Sequence, residues 1–198
     1  MIKVNEIFRS IQGEGRHVGA PILFIRLSGC NLNCSFCDTT FTFGLDRDEE
    51  AILVDLEAHL PIKRVCITGG EPLVQNITPL VHLLKAKGYT IHLETNGTLP
   101  ITTARFDWIT VSPKGFPLNR TTMLYADEVK FLCGFEGWED VIEKTLKDYP
   151  ALRDSAYLQP IWVEGEIKSS NLLRALEYIR QNPNIYLSVQ VHKLIGVK

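Results

Sequence analysis

The chain has 198 residues, with 21 lysines and arginines against 23 aspartates and glutamates, a formal net charge of −2. That length can bury one sizeable core, and the charge balance leaves no basic surplus for gripping a phosphate backbone, so no direct nucleic-acid contact is expected. The opening MIKVNEIFRSIQGEG lacks the apolar run of a signal peptide, and no segment approaches the roughly 18–20 apolar residues of a membrane span, which points to a cytoplasmic protein.

In chain order, short apolar runs rich in β-branched residues alternate with amphipathic segments. The runs Ile22–Leu27, Arg64–Thr68, Thr90–Glu94, Trp108–Val111, Glu128–Phe131, Ala156–Gln159 and Ile185–Gln190 are expected strands. Their near-continuous apolar character fits strands covered on both faces, as in parallel sheets. A helix is expected over Asp46–Leu60, ending before Pro61. Ile77, Leu80, Val81 and Leu84 form a second helical stripe, stopped by Gly88. Trp138, Val141, Thr145 and Leu146 form a third, closed by Pro150. Leu172, Leu173, Leu176 and Ile179 form a fourth. This alternation predicts a parallel α/β sheet with right-handed crossovers. With no repeat, low-complexity tract or linker-like shift, residues 1–198 read as a single domain.

Chemically capable residues recur where the strands end. Ser28-Gly29-Cys30, Gly69-Gly70-Glu71, Glu94-Thr95-Asn96, Ser112-Pro113-Lys114, Gln159-Pro160 and Gln190-Val191-His192-Lys193 each end or follow an expected strand, and Lys130 lies near the end of another. In a curved parallel sheet these ends gather round one opening, where sites are built. Loops are polar in any case, but that explains the recurrence less well than a shared site does.

Five cysteines, an odd number, argue against a disulfide scaffold. Cys66 and Cys133 sit in apolar runs and read as core thiols. Cys30, Cys34 and Cys37 stand on one short loop with spacing Cys-x3-Cys-x2-Cys. Such thiolates can wrap a metal centre. A structural zinc site wants four ligands and is closed, and a 4Fe–4S cluster usually takes four cysteines. Three local ligands would leave one position open, which is what a catalytic centre needs. Spacing alone leaves cluster, zinc and redox or packing thiols all in play.

Gly29-Cys30-Asn31-Leu32-Asn33-Cys34-Ser35-Phe36-Cys37-Asp38 is similar to the signature loop of the radical S-adenosylmethionine (SAM) superfamily, and Thr68-Gly69-Gly70-Glu71-Pro72 to its second hallmark. The resemblance implies an incomplete (β/α) barrel of the TIM type. A 4Fe–4S cluster on Cys30, Cys34 and Cys37 would stand at its C-terminal mouth, its fourth iron held open for SAM. Ile11-Gln12-Gly13-Glu14-Gly15, Phe24-Ile25-Arg26-Leu27, Cys37-Asp38-Thr39, Glu94-Thr95-Asn96-Gly97-Thr98, Val111-Ser112-Pro113-Lys114 and Gln190-Val191-His192-Lys193 narrow it. Nearly end to end, the chain resembles the 7-carboxy-7-deazaguanine synthase family.

That resemblance implies a lyase acting on 6-carboxy-5,6,7,8-tetrahydropterin. An electron from the reduced cluster cleaves SAM, the resulting radical takes a substrate hydrogen, the ring contracts, ammonia leaves and SAM is regenerated, with Mg2+ assisting. It implies substrate contacts at Ile11, Gln12, Gly13, Arg26 and Thr68. It implies SAM contacts at Phe36, Asp38, Gly70, Glu71, Ser112, Pro113, Lys114 and Gln159, and a magnesium ligand at Thr39. Arg26 suits a substrate carboxylate because guanidinium meets carboxylate in a fork; a surface ion pair is its ordinary alternative. His192 is a proton donor, a substrate contact or a satisfied strand-end histidine. His17, His59, His82 and His92 read as surface or structural. The chain departs from the family pattern at Phe36, where tryptophan is common, and at Val191, where threonine is usual. The family further implies a homodimer and an electron donor such as flavodoxin or ferredoxin. A glycyl-radical activase and a non-catalytic zinc module remain the competing functions. Anaerobic reconstitution with iron and sulfide separates cluster from zinc: visible absorption and bound iron are expected, and both are lost in Cys34→Ala, whereas a zinc module stays colourless with about one zinc.

Overall fold

The computed structural model describes residues 1–102, 105–163 and 165–198. Strands β1 (Ile2–Ile11), β2 (Pro21–Leu27) and β3 (Leu45–Arg47) precede helix α1 (Glu49–Glu57). Then come β4 (Arg64–Gly69), α2 (Thr78–Ala86), β5 (Thr90–Thr95), β6 (Trp108–Val111), α3 (Arg120–Leu124), β7 (Glu128–Cys133) and α4 (Trp138–Asp148). The chain continues through β8 (Ala156–Pro160), β9 (Trp162–Val163), β10 (Glu166–Ile167), α5 (Ser169–Gln181), β11 (Ile185–Leu187) and α6 (Val191–Leu194).

One large sheet runs β11-β8-β7-β6-β5-β4-β2-β1-β3. From β2 to β11 every pairing is parallel, so these strands deliver their C-terminal ends to one side. β1 adds antiparallel to β2, and β3 antiparallel to β1. β11 and β3 are edges and do not meet, so the fold is an open, incomplete (β/α) barrel. β9 and β10 form a separate short hairpin.

The core follows from the pleat and the helical stripes. Ile25, Leu27, Val65, Ile67, Ile91 and Leu93 point outward from the barrel wall and are covered by Leu80, Val81 and Leu84 of α2 and by Ile52 and Leu56 of α1. Further along, Phe131 and Leu158 join Trp138, Ile142 and Leu146 of α4. Each such side chain is worth about 1.5–3 kcal/mol of burial. The alternate positions point into the barrel, which is why Glu94, Thr110, Glu128 and Lys130 occur inside apolar strands.

Six expected strands are present within a residue or two. β1 was not expected. A register shift between Val4 and Glu6 breaks its period of two, and most of it is half-buried rather than alternating. The expected helix at Asp46 begins instead at Glu49: Asp46 and Arg47 pair in β3, and Asp48 caps α1 by accepting from Ala51 N at 2.7 Å. The expected strand to Gln190 ends at Leu187, because Ser188 and Gln190 turn inward to bond Gln159 and Glu14 and α6 follows. In α5 the inward face is centred on Ala175, and Leu173 is exposed. Leu93 is fully buried at mid-sheet. Leu93→Ala is expected to cost about 2–5 kcal/mol, read by urea unfolding.

Candidate functional site

The loops after β2 and β4 are fastened to each other by backbone, and the loop after β5 joins them through side chains. Gly70 N donates to Leu27 O at 3.2 Å, and Glu71 N to Gly29 O at 2.9 Å. A Cβ on Gly70 would lie 2.1 Å from the Gly29 carbonyl oxygen, and one on Gly69, at φ +139°, 2.2 Å from that of Leu27. Only glycine permits this approach. Glu71 is fully buried. Its carboxylate accepts from Leu73 N at 3.1 Å, Thr95 Oγ1 at 2.8 Å and Asn96 N at 2.6 Å. Burial raises its pKa against those hydrogen bonds. Asn96 Nδ2 then donates to Asn31 Oδ1 at 3.0 Å, and Asn31 Nδ2 to Thr98 Oγ1 at 2.8 Å. The cysteine loop is thereby docked on the Glu94–Thr98 segment.

Cys30, Cys34 and Cys37 are free thiols at one cavity of about 480 Å³, whereas Cys66 and Cys133 are buried in the wall and far from exposure. Burial raises the Cys34 pKa, Lys114 opposes it, and Cys37 and Cys30 add to it. Among the described residues no three Cys, His, Asp or Glu side chains converge where a single ion could be held. Three soft donors on an open loop, with no fourth, fit a polynuclear cluster with one free position better than a closed zinc staple. Phe36 beside them stacks on Phe135 at 4.7 Å.

The opposite wall is polar. Glu94 accepts from Gln12 Nε2 and from Thr68 Oγ1, each at 3.1 Å. Arg26 lies over Phe8, and its Nε donates to Glu6 Oε1 at 2.8 Å. Ser112 Oγ donates to Lys130 O at 2.9 Å, and Lys114 donates to Ser112. Burial, with Lys130 beside it, lowers the Lys114 pKa to about 8. Gln159 accepts from Ser188 Oγ at 2.8 Å. Ile11, Gln12, Arg26, Phe36, Asp38, Thr39, Thr68, Gly70, Ser112, Lys114, Gln159 and His192 all reach the cavity with the thiols.

Gly13, Glu71 and Pro113 stand behind its surface. Gly13 packs against His192 so closely that a Cβ would lie 1.8 Å from Nδ1. Burial lowers the His192 pKa, with Glu14 opposing. His17 and His92 are structural, packed in a tilted pair with ring centroids 4.7 Å apart, and the Trp108 ring lies 4.6 Å from His17.

The sequence places Glu14 beside Gln12 and Gly13 of the expected substrate pocket but assigns no individual contact to Glu14, Glu94 or Gln190. Glu14 and Lys130 form an ion pair inside the barrel, and Gln190 Nε2 donates to Glu14 Oε1 at 2.7 Å. Burial would raise the Glu14 pKa, but the charge and hydrogen bond of Lys130 outweigh it and hold the carboxyl at about 2. Lys130 is correspondingly raised. Lys130 is marked by its place in the mainly apolar β7 strand, but nothing local marks Glu14 as its partner.

Residues 24–151 match the family model of the Radical SAM superfamily, which agrees with a three-thiol loop at the mouth of an open barrel. The 7-carboxy-7-deazaguanine synthase of Bacteroides thetaiotaomicron is 39% identical over the whole of both chains. That of Synechocystis is 34% identical over 98% of this chain and 93% of its own. A crystal structure of QueE from Escherichia coli superposes with a TM-score of 0.79 at 28% identity, covering 96% of this chain and 94% of that one. The chain belongs to the radical SAM superfamily and, within it, to the family of the 7-carboxy-7-deazaguanine synthases.

Removing one partner of the buried pair leaves an uncompensated charge. Lys130→Met is expected to lose about 3–5 kcal/mol at neutral pH. Because the Glu14 pKa falls from 4.5 to about 2 on folding, its contribution is complete above pH 4.5 and disappears as pH drops toward 2. Urea unfolding across that window is expected to show this loss in the parent chain and not in Lys130→Met.

Proposed function

We propose that this chain converts 6-carboxy-5,6,7,8-tetrahydropterin to 7-carboxy-7-deazaguanine with loss of ammonia, in the supply of deazapurines for queuosine-type tRNA modification. The observation that carries the reading is the shared cavity: the three thiols and the wall bearing Arg26, Gln12, Thr68 and Glu94 line the same space. A site for a single redox group alone has no use for that second wall.

The residues divide accordingly. Cys30, Cys34 and Cys37 hold the cluster. Phe36, Asp38, Gly70, Ser112, Lys114 and Gln159 serve SAM, and Glu71 and Pro113 act from behind by shaping the loops that do. The bound cofactors supply one electron and a carbon radical able to take a hydrogen atom from substrate. Product differs from substrate by one ammonia, so the hydrogen must be returned and no net oxidation occurs. The protein's part is binding and orientation. Among the described residues Arg26 bonds Glu6 through Nε only, which leaves its terminal nitrogens for a substrate carboxylate. Glu94, fixed by Gln12 and Thr68, is an acceptor for the N–H edge of the pterin. Thr39 lends its hydroxyl to Mg2+, a hard ion that takes few protein oxygens and keeps waters or substrate oxygens.

We further propose a single-domain enzyme that works in the cytoplasm as a homodimer, reduced by a flavodoxin or ferredoxin. Among the described residues no helix is long and apolar enough to cross a membrane, and the open edges β3 and β11 need cover. Anaerobic incubation with carboxytetrahydropterin, dithionite and SAM is expected to yield the deazaguanine. Cleavage of SAM with no such product would sink the synthase reading in favour of an activase. Arg26→Ala is expected to raise substrate KM roughly 10–100-fold, the worth of a charged hydrogen bond, with SAM binding retained.

A further inference from the structure

The segment Gln190-Val191-His192-Lys193 lies across the side of the cavity, between the loop that follows β1 and the trailing end of the cysteine loop. Its backbone is fixed to the first: Val191 N donates to Gly13 O at 3.0 Å, and His192 fills the space that a side chain on residue 13 would need. Its side chains reach the second. Gln190 Nε2 is shared between Glu14 Oε1 at 2.7 Å and Asp38 Oδ2 at 3.1 Å. Lys193 pairs with that same Asp38 oxygen, donates to Gln190 Oε1 at 3.0 Å, and sits 5.4 Å over the Trp162 ring. Asp38 directly follows the last cysteine of the loop, and its other oxygen takes the Thr39 hydroxyl at 3.4 Å.

We infer that Lys193 is a positioning residue: with Gln190 it fixes the Asp38 carboxylate against the cavity wall and so sets the cysteine loop's SAM-facing edge. Stability alone does not account for the arrangement. The Lys193 and Asp38 side chains are 24% and 42% exposed, and ion pairs that open contribute little to folding. Nor is it a loose surface contact. Two donors converge on one carboxylate oxygen, and both come from a segment whose backbone is bonded elsewhere. What such a strut provides is geometry. Without it Asp38 is a solvent-facing carboxylate on a loop of short turns, free to choose other rotamers, and a ligand that needs it must order it first. The inference rests on the reading that Asp38 touches SAM. It does not depend on the identity of the second substrate.

The test measures SAM affinity with no pterin present, on anaerobically reconstituted protein, by the change SAM causes in the EPR signal of the reduced cluster. Lys193→Met is expected to keep parental iron content and thermal midpoint while binding SAM about tenfold more weakly. Lys193→Arg is expected to restore most of the affinity. In an Asp38→Asn background, Lys193→Met is expected to add little further loss, because the lysine acts through that carboxylate. Parental affinity in Lys193→Met overturns the proposal. So does a full additional loss in the Asp38→Asn background, and so does loss of the cluster itself, which would make Lys193 part of the scaffold. If the chain proves not to process the pterin, these outcomes read the same, so the two ideas fail separately.

Discussion

Glu14 and Lys130 meet inside the barrel, and the pocket takes its form from that meeting. Desolvating two charges is costly, and a buried pair of this kind seldom outperforms a well-packed apolar one for stability. Its value is orientation. Lys130 projects inward from β7, so the loop after β1 must bring Glu14 across the barrel to meet it. Gln12 is thereby set against Glu94 of β5, Gly15 N reaches Ser188 at 3.1 Å, and Arg16 N reaches Glu128 at 2.8 Å. An antiparallel strand at the margin of the sheet thus contributes the loop that lines its centre.

On the other side of the cavity the constraint is steric. The Gly69–Gly70 backbone touches the backbone of residues 27–29, and any larger residue would push the cysteine loop away. The buried Glu71 carboxylate then ties that contact to Thr95 and Asn96. The thiol-bearing loop therefore owes its position to groups that bear no thiol, most of which also line the cavity, with the Glu71 carboxylate buried behind them. One wall is held by paired charges and the other by backbone contact. The ligand space is what lies between them.

Much of this was legible in the sequence, and unevenly so. The parallel strands were, because both faces are covered and their apolar runs are nearly unbroken. The thiol loop and Gly-Gly-Glu were, because their spacing is local. β1 was not, since its bulge interrupts alternation and its faces are only half-covered. The helix expected from Asp46 starts three residues later, because Asp46 and Arg47 pair with β1 and Asp48 caps the helix. Gly70 was read as room for a ligand, and it also proves to be room for Gly29. Arg26 was weighed as either a carboxylate clamp or an ion pair, and its pairing with Glu6 leaves the terminal nitrogens able to serve the first as well. Glu14, Glu94 and Gln190 gained no individual contact from the sequence because their partners lie between 26 and 176 positions away, and no local pattern carries such a pairing.

The bond between Glu14 and Gln190 spans 176 positions. Contacts of that separation form late, since the intervening chain must first be ordered. During synthesis the thiol loop emerges early, and β2, β4 and β5 can dock around it. The wall that faces it cannot close until the segment near residue 190 has left the ribosome and folded back. A nascent or truncated chain could therefore bind metal without enclosing a reactant. The pocket wall is therefore completed only once nearly the whole chain has been made.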